Sequence, residues 1–314
     1  MDIRDKNVFC TIVTASHLKY AEGLYQSIRK YVADATMHVF VSDTKKEALH
    51  VDEYPANFYV YTSEDLCTTE VAHRITAKFR DHDHDAFRWS MKPVFINFLL
   101  QQRFCAKVIY TDCDIFFFHD PTFLFDALDA GSVLLTPHWR SSDPYREFAN
   151  FQILFTSGIY NAGFIGVSKA GVRAMDWWAG VCAHTCIKDP GRGFFVDQTH
   201  LNLLPVYFDQ VEVVKHRGCN VANWNMLECE RIVQEDGSVL INGKYPIVFI
   251  HFTGSTVRGI LKGNDRNLLP YLLQYERALK KLGIASINEQ RLAIQQESRP
   301  RGRFSFLSKI FPSY

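Results

Sequence analysis

The chain has 314 residues, enough for one large α/β domain or two smaller ones. Hydrophobic residues make up 47% and charged residues 22%, as is typical of a globular protein with a core. The formal net charge of +1 excludes the broad basic field of a nucleic-acid-binding protein. The eight cysteines show no CxxC spacing, the N-terminal MDIRDK lacks a signal-like apolar segment, and no apolar run approaches ~20 residues. We therefore expect a cytoplasmic protein with reduced thiols.

Strand and helix patterns alternate along the chain. In chain order, we predict strands over 7–14, 37–41, 57–61, 132–136, 161–167 and 246–251, and helices over 20–31, 89–104, 197–204 and 268–282. A further helix, through Met175, Trp177 and Trp178, is predicted to follow the strand 161–167. This alternation predicts an α/β fold with a doubly wound, mostly parallel sheet and flanking helices. We expect a boundary near residue 265, between a domain of residues 1–265 and a C-terminal helical extension, 266–314. Ligands of such sheets bind outside the carboxyl ends of the strands.

Two carboxylates interrupt an apolar run over residues 108–118. Burying Asp112 and Asp114 without partners would cost several kcal/mol. In an extended segment, residues i and i+2 point to the same side, so both carboxylates can face one ion. Oxygen ligands suit Mg²⁺ or Mn²⁺, which complete their coordination with phosphate oxygens and water. The pattern indicates a metal-diphosphate site at the end of a strand, although Asp-x-Asp also occurs in solvated turns and helix caps.

Six segments in a fixed order resemble retaining glycosyltransferases of family 8, over roughly residues 7–262. They are TIVTAS, VSD, YTDCD, YNAGFIGVS, VDQTHLN and HFTG. The family includes bacterial lipopolysaccharide galactosyl- and glucosyltransferases and the glycogenins. The resemblance implies the GT-A fold, a nucleotide-diphosphate sugar donor such as a UDP-hexose, and Mn²⁺ or Mg²⁺ as cofactor. It also implies a carbohydrate or glycolipid acceptor, as in the synthesis of cell-surface polysaccharides.

The resemblance also implies roles for individual residues. Asp112, Asp114 and His251 would bind the metal, and Asp197 and Gln198 would act at the donor sugar as the catalytic pair. Donor-binding residues would be Thr14, Ala15, Ser16, Asp43, Arg88, Lys92, Asp112, Cys113, Asn161, Ala162, Gly163, Gly254, Arg258 and Lys262. Each assignment has a structural alternative: Asp197 can cap a helix, and Arg88 and Lys92 can be surface cations.

One position departs from the family pattern. The family usually has a lysine six residues after the histidine, contacting the diphosphate, whereas this chain has Val257 there. Arg258 or Lys262 could serve the phosphates instead. The choice between retention and inversion stays open at this point.

Two other functions are compatible with the fold. A sugar-nucleotide nucleotidyltransferase would need a glycine-rich basic loop after the first strand, which residues 14–17 do not provide. A non-catalytic sugar-nucleotide-binding protein would have no need for an intact set of metal ligands.

Three further segments attract attention. We interpret the acidic, histidine-rich segment 81–85 as a solvated loop over the donor site, and 216–225 as a loop that an acceptor could contact. The tail, 299–314, mixes cations with aromatic side chains. Such a segment can lie on an anionic membrane, here the inner membrane face, or pack on the domain or another subunit.

Overall fold

The computed structural model of the protein describes residues 7–49, 54–101 and 105–297. Its strands are β1 Val8–Val13, β2 Thr36–Val41, β3 Phe58–Tyr61, β4 Lys107–Thr111, β5 Ile115–Phe117, β6 Val133–Pro137, β7 Tyr160–Ser168, β8 Lys188–Asp189, β9 Phe194–Phe195, β10 Val211–Val213, β11 Arg231–Val233, β12 Val239–Ile241, β13 Tyr245–Pro246 and β14 Phe249–His251. Its α-helices are α1 Leu18–Arg29, α2 Ser63–Leu66, α3 Glu70–Phe79, α4 His84–Gln101, α5 Thr122–Ala127, α6 Phe148–Ser157, α7 Val172–His184, α8 Leu204–Tyr207, α9 Gly254–Leu261, α10 Leu269–Lys281 and α11 Ser286–Glu297.

The main sheet has seven strands in the order β10-β6-β7-β4-β1-β2-β3. Strand β1 lies in its interior and is buried along its whole length, as expected for a parallel strand covered on both faces. Strands β1, β2, β3 and β4 are parallel, and β10 is parallel to β6. The predicted α/β architecture, a mostly parallel sheet with flanking helices and a helical C-terminal region, is confirmed.

Strand β7 is the exception, because it runs antiparallel to both β4 and β6. Its first residues consequently lie at the edge where β1, β2 and β4 end. A second antiparallel pair, β5 with β14, follows the end of β4. The reversed direction of β7 brings its first residues to the edge where β4 ends. The antiparallel pairing of β14 with β5 brings the end of β14 there as well.

Helix α4 packs on β1 and β4 and is buried on most of its surface. It begins at His84, so the predicted loop over 81–85 ends at Asp83, whereas the predicted solvation holds, because all five residues are exposed. Asp83 explains the start, because its carboxylate accepts a hydrogen bond from the Ala86 N–H at 2.9 Å, as an N-terminal cap does. The predicted helix over 197–204 is also corrected: a 3₁₀ turn, Thr199–Leu203, precedes the short α8.

The C-terminal helices pack on the sheet domain. Side chains from both sides of residue 265 share one buried cluster, including Phe116, Phe252, Leu272 and Tyr275. Among the described residues, no helix is both long and apolar enough to cross a membrane. The predicted membrane contact of 299–314 lies outside the described residues.

Candidate metal and donor site

The three predicted metal ligands meet at the end of β4. Asp112 directly follows that strand, and Asp114 directly precedes β5. Because β14 is antiparallel to β5, with His251 paired to Ile115, the imidazole is placed beside both carboxylates. Its Nε2 lies 2.9 Å from Asp114 Oδ1 and 3.9 Å from Asp112 Oδ2. One ligand atom from each residue lies within 4.8 Å of the others, so the structure brings the predicted set together.

Gly163 fixes how closely these groups approach β7. The Asp112 N–H donates to the Gly163 carbonyl at 2.8 Å. A Cβ at position 163 would lie 2.5 Å from His251 Cε1 and 2.8 Å from both Asp112 Oδ2 and Asn161 Oδ1. These separations are far shorter than van der Waals contacts, so only glycine fits beneath the cluster.

The cluster suits a divalent metal ion. Two carboxylates and one imidazole supply oxygen and nitrogen ligands of the kinds that such ions accept. The side chains of Asp112 and Asp114 are 32% and 33% exposed, whereas that of His251 is 6% exposed. The open side of the cluster therefore leaves coordination positions for ligands such as phosphate oxygens. Burial favours neutral Asp114, but the His251 imidazole next to it lowers the pKa of that carboxyl.

Lys92 is a buried cation that joins two carboxylates. Its Nζ lies 3.4 Å from Asp112 Oδ1 and 3.2 Å from Asp197 Oδ2, and it donates to the Ala162 carbonyl at 3.1 Å. Burial by itself would lower the pKa of Lys92, but Asp112 and Asp197 raise it above its usual value. The ammonium is therefore charged, and the surface-cation alternative for Lys92 is wrong.

Asp197 is the most deeply buried carboxylate of the site, at 1% exposure. Burial raises its pKa to about 6, although Lys92 opposes the shift. It does not cap a helix, since the next 3₁₀ turn begins at Thr199 after Gln198. The preceding Val196 has φ of +48°, a conformation that costs a β-branched residue about 1–3 kcal/mol. Packing of the surrounding residues holds Asp197 in place against this strain.

The amides of Gln198 and Asn161 hold the local backbone and the histidine. Gln198 Oε1 accepts from the Ala162 N–H at 3.1 Å, and its Nε2 donates to the Ser157 carbonyl at 2.7 Å. Asn161 Oδ1 accepts from the Gly163 N–H at 2.6 Å. Asn161 Nδ2 lies 3.3 Å from His251 Nδ1, so this amide orients the imidazole.

Two further residues contact the metal ligands, and neither was predicted to do so. The Tyr110 hydroxyl donates to Asp112 Oδ1 at 2.8 Å, and the Trp224 ring lies edge-on to His251 with centroids 5.5 Å apart. Tyr110 could have been found, because residue i−2 of a strand points to the same side as Asp112. Nothing in the sequence placed Trp224 beside His251. It belongs to the predicted acceptor loop 216–225, where Asn220 and Asn225 are fully buried.

An open cavity of about 300 Å³ adjoins the cluster. Five predicted residues line it: Arg88, Lys92, Asp112, Cys113 and Asp114. The rest of its lining was not assigned from the sequence: Ile12, His17, Tyr20, Trp89, Tyr110, Phe252, Val257, Tyr275, Ser286, Ile287 and Gln290. Arg88 also forms an ion pair with Asp85 on its own helix. The cavity thus extends from the carboxylates to the C-terminal helix α11.

The remaining predicted donor residues lie outside the lining of this cavity. Asp43 accepts a hydrogen bond from the Ala15 N–H at 2.7 Å and so holds the turn formed by Thr14, Ala15 and Ser16. Gly254 is the first residue of α9. Arg258 and Lys262 lie on or just after that helix and line a second cavity of about 350 Å³, together with Asn223 and Asp265.

No protein-family model matches the chain. Two curated relatives come from Bacillus subtilis (strain 168), and both are described as uncharacterized proteins. YfnF is 26% identical over 263 residues, covering 81% of this chain and 83% of its own length. YfnD is 29% identical over 254 residues, covering 79% and 78%.

Similar solved structures include two transferases. One is an active-site mutant of the galactosyltransferase LgtC, with a TM-score of 0.49, 15% identity and coverage of 79% of this chain and 87% of LgtC. Another is mouse xyloside xylosyltransferase 1, with a TM-score of 0.47, 11% identity and coverage of 80% and 98%. At identities and TM-scores this low, these likenesses carry no conclusion about the function of this chain. Membership of family 8 stays a prediction.

Proposed function

We propose that this protein is a metal-dependent glycosyltransferase that transfers a hexose from a nucleotide-diphosphate sugar to a hydroxyl of a glycan or glycolipid. UDP is the favoured nucleotide, and Mn²⁺ or Mg²⁺ the favoured metal. The observation that carries the proposal is the convergence of Asp112, Asp114 and His251 within 4.8 Å, beside the buried Lys92–Asp197 ion pair. A metal-diphosphate site next to a buried carboxylate supports this reaction, because a metal stabilises the leaving diphosphate and a carboxylate stabilises positive charge at the anomeric carbon.

Asp112, Asp114 and His251 would hold the metal, which when bound neutralises the diphosphate and stabilises the departing nucleotide. Lys92 keeps Asp112 and Asp197 at fixed positions, so that little reorganisation is needed during the reaction. With a pKa of about 6, Asp197 is mostly ionised at neutral pH. In the proposed reaction its negative charge stabilises the positive charge that develops at the anomeric carbon.

We also propose that the reaction retains the configuration of the sugar. An inverting reaction needs a carboxylate base on the side opposite the leaving group. Among the described residues that line the cavity, the carboxylates are Asp112 and Asp114, and the proposal assigns both to the metal. Asp197 lies outside this lining and is paired with Lys92, so the proposal assigns no carboxylate to the role of the base, which supports attack on the same face as the leaving group.

The test is nucleotide release from a panel of UDP-, GDP- and ADP-hexoses with Mn²⁺, with Mg²⁺ and with EDTA. We expect one UDP-hexose to release UDP only when metal is present. Asp114→Asn should reduce release to the level seen with EDTA. Asp126→Asn, which changes an exposed carboxylate on α5, is the matched control and should behave as the wild type.

Two outcomes would contradict the proposal. If no sugar nucleotide is cleaved and Mn²⁺ does not bind, the Asp-x-Asp segment has no role in catalysis. If the protein instead forms a sugar nucleotide and pyrophosphate from a nucleoside triphosphate and a hexose 1-phosphate, it is a nucleotidyltransferase. NMR spectroscopy of the anomeric proton in the first product decides between retention and inversion.

A further inference from the structure

The cavity next to the metal ligands has a second group of lining residues that the proposed reaction does not use. His17 and Tyr20 come from the segment that follows β1, and Ser286 and Gln290 from the first two turns of α11. The charged residues that line the cavity are Arg88, Lys92, Asp112 and Asp114. The second group consists of aromatic and neutral polar side chains. It therefore differs in chemistry from the part of the cavity suited to a metal and phosphates.

Helix α11 is firmly attached next to this cavity. The Tyr20 hydroxyl donates to Ser286 Oγ at 2.8 Å, which joins segments 266 residues apart. Ile287 is buried in the C-terminal cluster at 3% exposure. Arg291 binds both carboxylate oxygens of Glu276 on α10, at 2.6 and 2.7 Å. A bidentate pair of this kind fixes orientation as well as position, so α11 is a preformed wall of the cavity.

The second group has the chemistry needed to bind a nucleobase. The His17 and Tyr20 rings stack with centroids 5.3 Å apart and planes 28° apart, and they offer aromatic surface to a planar ligand. Ser286 Oγ accepts from Tyr20, which leaves its own hydroxyl hydrogen available to donate. A carboxamide such as Gln290 donates and accepts at once, matching the mixed donors and acceptors along the edge of a base. Both Ser286 and Gln290 are half-buried, and thus reachable by a ligand.

Resting on the function proposed above, we infer that α11 recognises the nucleoside part of the donor. Gln290, assisted by Ser286, hydrogen-bonds the base or ribose while the diphosphate lies at the metal ligands. The C-terminal helix is then a determinant of nucleotide specificity and has no part in the chemical step. Gln290 and Ser286 are specificity residues of the binding site.

The experiment compares two probes that share phosphate chemistry but differ in the nucleoside. Wild type, Gln290→Ala, Gln290→Glu, Ser286→Ala and the control Leu292→Ala are titrated by calorimetry with Mn²⁺ and either inorganic pyrophosphate or UDP, GDP, CDP or ADP. Leu292 lies on the same helix and is 57% exposed. Thermal unfolding of every variant confirms that the fold is retained.

We expect Gln290→Ala to weaken binding of the preferred nucleoside diphosphate about tenfold, the effect of one lost hydrogen bond. The difference in affinity between this nucleoside diphosphate and the others should shrink in the variant, while the affinity for pyrophosphate stays unchanged. Gln290→Glu, which loses the amide donor, should alter the order of preference among the bases. Leu292→Ala should bind all probes as the wild type does.

The outcomes separate this inference from the function on which it rests. If the wild type binds a nucleoside diphosphate with Mn²⁺ but the Gln290 and Ser286 variants bind it equally well, α11 plays no part in recognition and the inference is wrong. The inference is also wrong if the variants lose affinity for pyrophosphate and for the nucleoside diphosphate to the same extent. If the wild type binds neither probe, the proposed function itself fails.

Discussion

The substitution Gly163→Ala tests whether β7 determines the geometry of the metal ligands. The added methyl group would lie 2.5 Å from His251 Cε1, 2.8 Å from Asn161 Oδ1 and 2.8 Å from Asp112 Oδ2. Carbon atoms in contact are normally separated by about 3.5–4.0 Å, so the histidine would have to retreat by about 1 Å. Hydrogen bonds to β4 and β6 hold β7 on both sides, and the strand cannot move away as a whole.

The size of the effect follows from two opposing contributions. Overpacking a tight site costs about 1–3 kcal/mol. Replacing glycine by alanine also restricts the unfolded chain, which returns about 0.4–1 kcal/mol of stability. The expected loss in the free energy of unfolding is therefore about 1–2 kcal/mol. Metal affinity should fall by about 10–100-fold, as it does when groups that orient metal ligands are disturbed.

The assay combines urea unfolding with Mn²⁺ titration followed by the EPR signal of free Mn²⁺. Gly166→Ala is the matched control, because Gly166 lies on the same strand but faces apolar side chains. Its Cβ would contact Leu128 Cδ1 and Leu134 Cβ at 3.2 Å, far from the ligands. This control should lose some stability while its affinity for Mn²⁺ stays that of the wild type.

The reasoning is refuted if Gly163→Ala binds Mn²⁺ as tightly as the wild type does. Equal losses of Mn²⁺ affinity in the Gly163 and Gly166 variants would also refute it. In that case the loss would follow from general destabilisation of β7. The decisive quantity is the difference in metal affinity between the two variants.

Three further predictions concern buried ionisable side chains. Lys92→Met should lower the free energy of unfolding at pH 7 by about 3–5 kcal/mol, since it leaves Asp197 unpaired. The double substitution with Asp197→Asn should recover part of this free energy, measured by urea unfolding. Burial lowers the pKa of His38 to about 3. The unfolded chain therefore binds more protons between about pH 6.5 and 3, and stability falls as the pH is lowered. Between pH 7 and pH 5 this effect lowers the free energy of unfolding by about 2 kcal/mol. Replacing His38 by Phe should abolish this part of the pH dependence, measured by urea unfolding at both pH values. Arg231→Met, which leaves the buried Asp265 without its partner at 3.0 Å, should cost about 3–5 kcal/mol, and an unchanged thermal midpoint would contradict this.

The parts of the site that follow local rules could be predicted from the sequence. Asp112 and Asp114 share a side because they are two residues apart at the end of a strand. The burial of Lys92 had a local signal as well. Phe95, Ile96 and Leu99 lie three, four and seven residues further along the helix and therefore on the same face. All three are fully buried, so this face of α4 points into the core.

Contacts between distant segments could not be predicted in this way. Nothing in the composition of β7 indicates its antiparallel direction, because a buried strand has the same apolar pattern in either direction. The bond between Tyr20 and Ser286 spans 266 residues, and neither segment considered separately indicates that the other is its partner. The donor-binding roles of Arg258 and Lys262 stay a prediction, and the sequence did not indicate that both residues line the second cavity.

Two consecutive residues of β7 explain why the metal ligands and the buried ion pair belong to one site. The N–H of Ala162 donates to Gln198, and its carbonyl accepts from Lys92. The next residue, Gly163, lies against Asp112 and His251. The reversed direction of β7 thus places one stretch of backbone between two groups of side chains that arise far apart in the chain. A movement of this stretch must change both groups together, so we expect the metal ligands and Asp197 to respond jointly to substitutions at the beginning of β7.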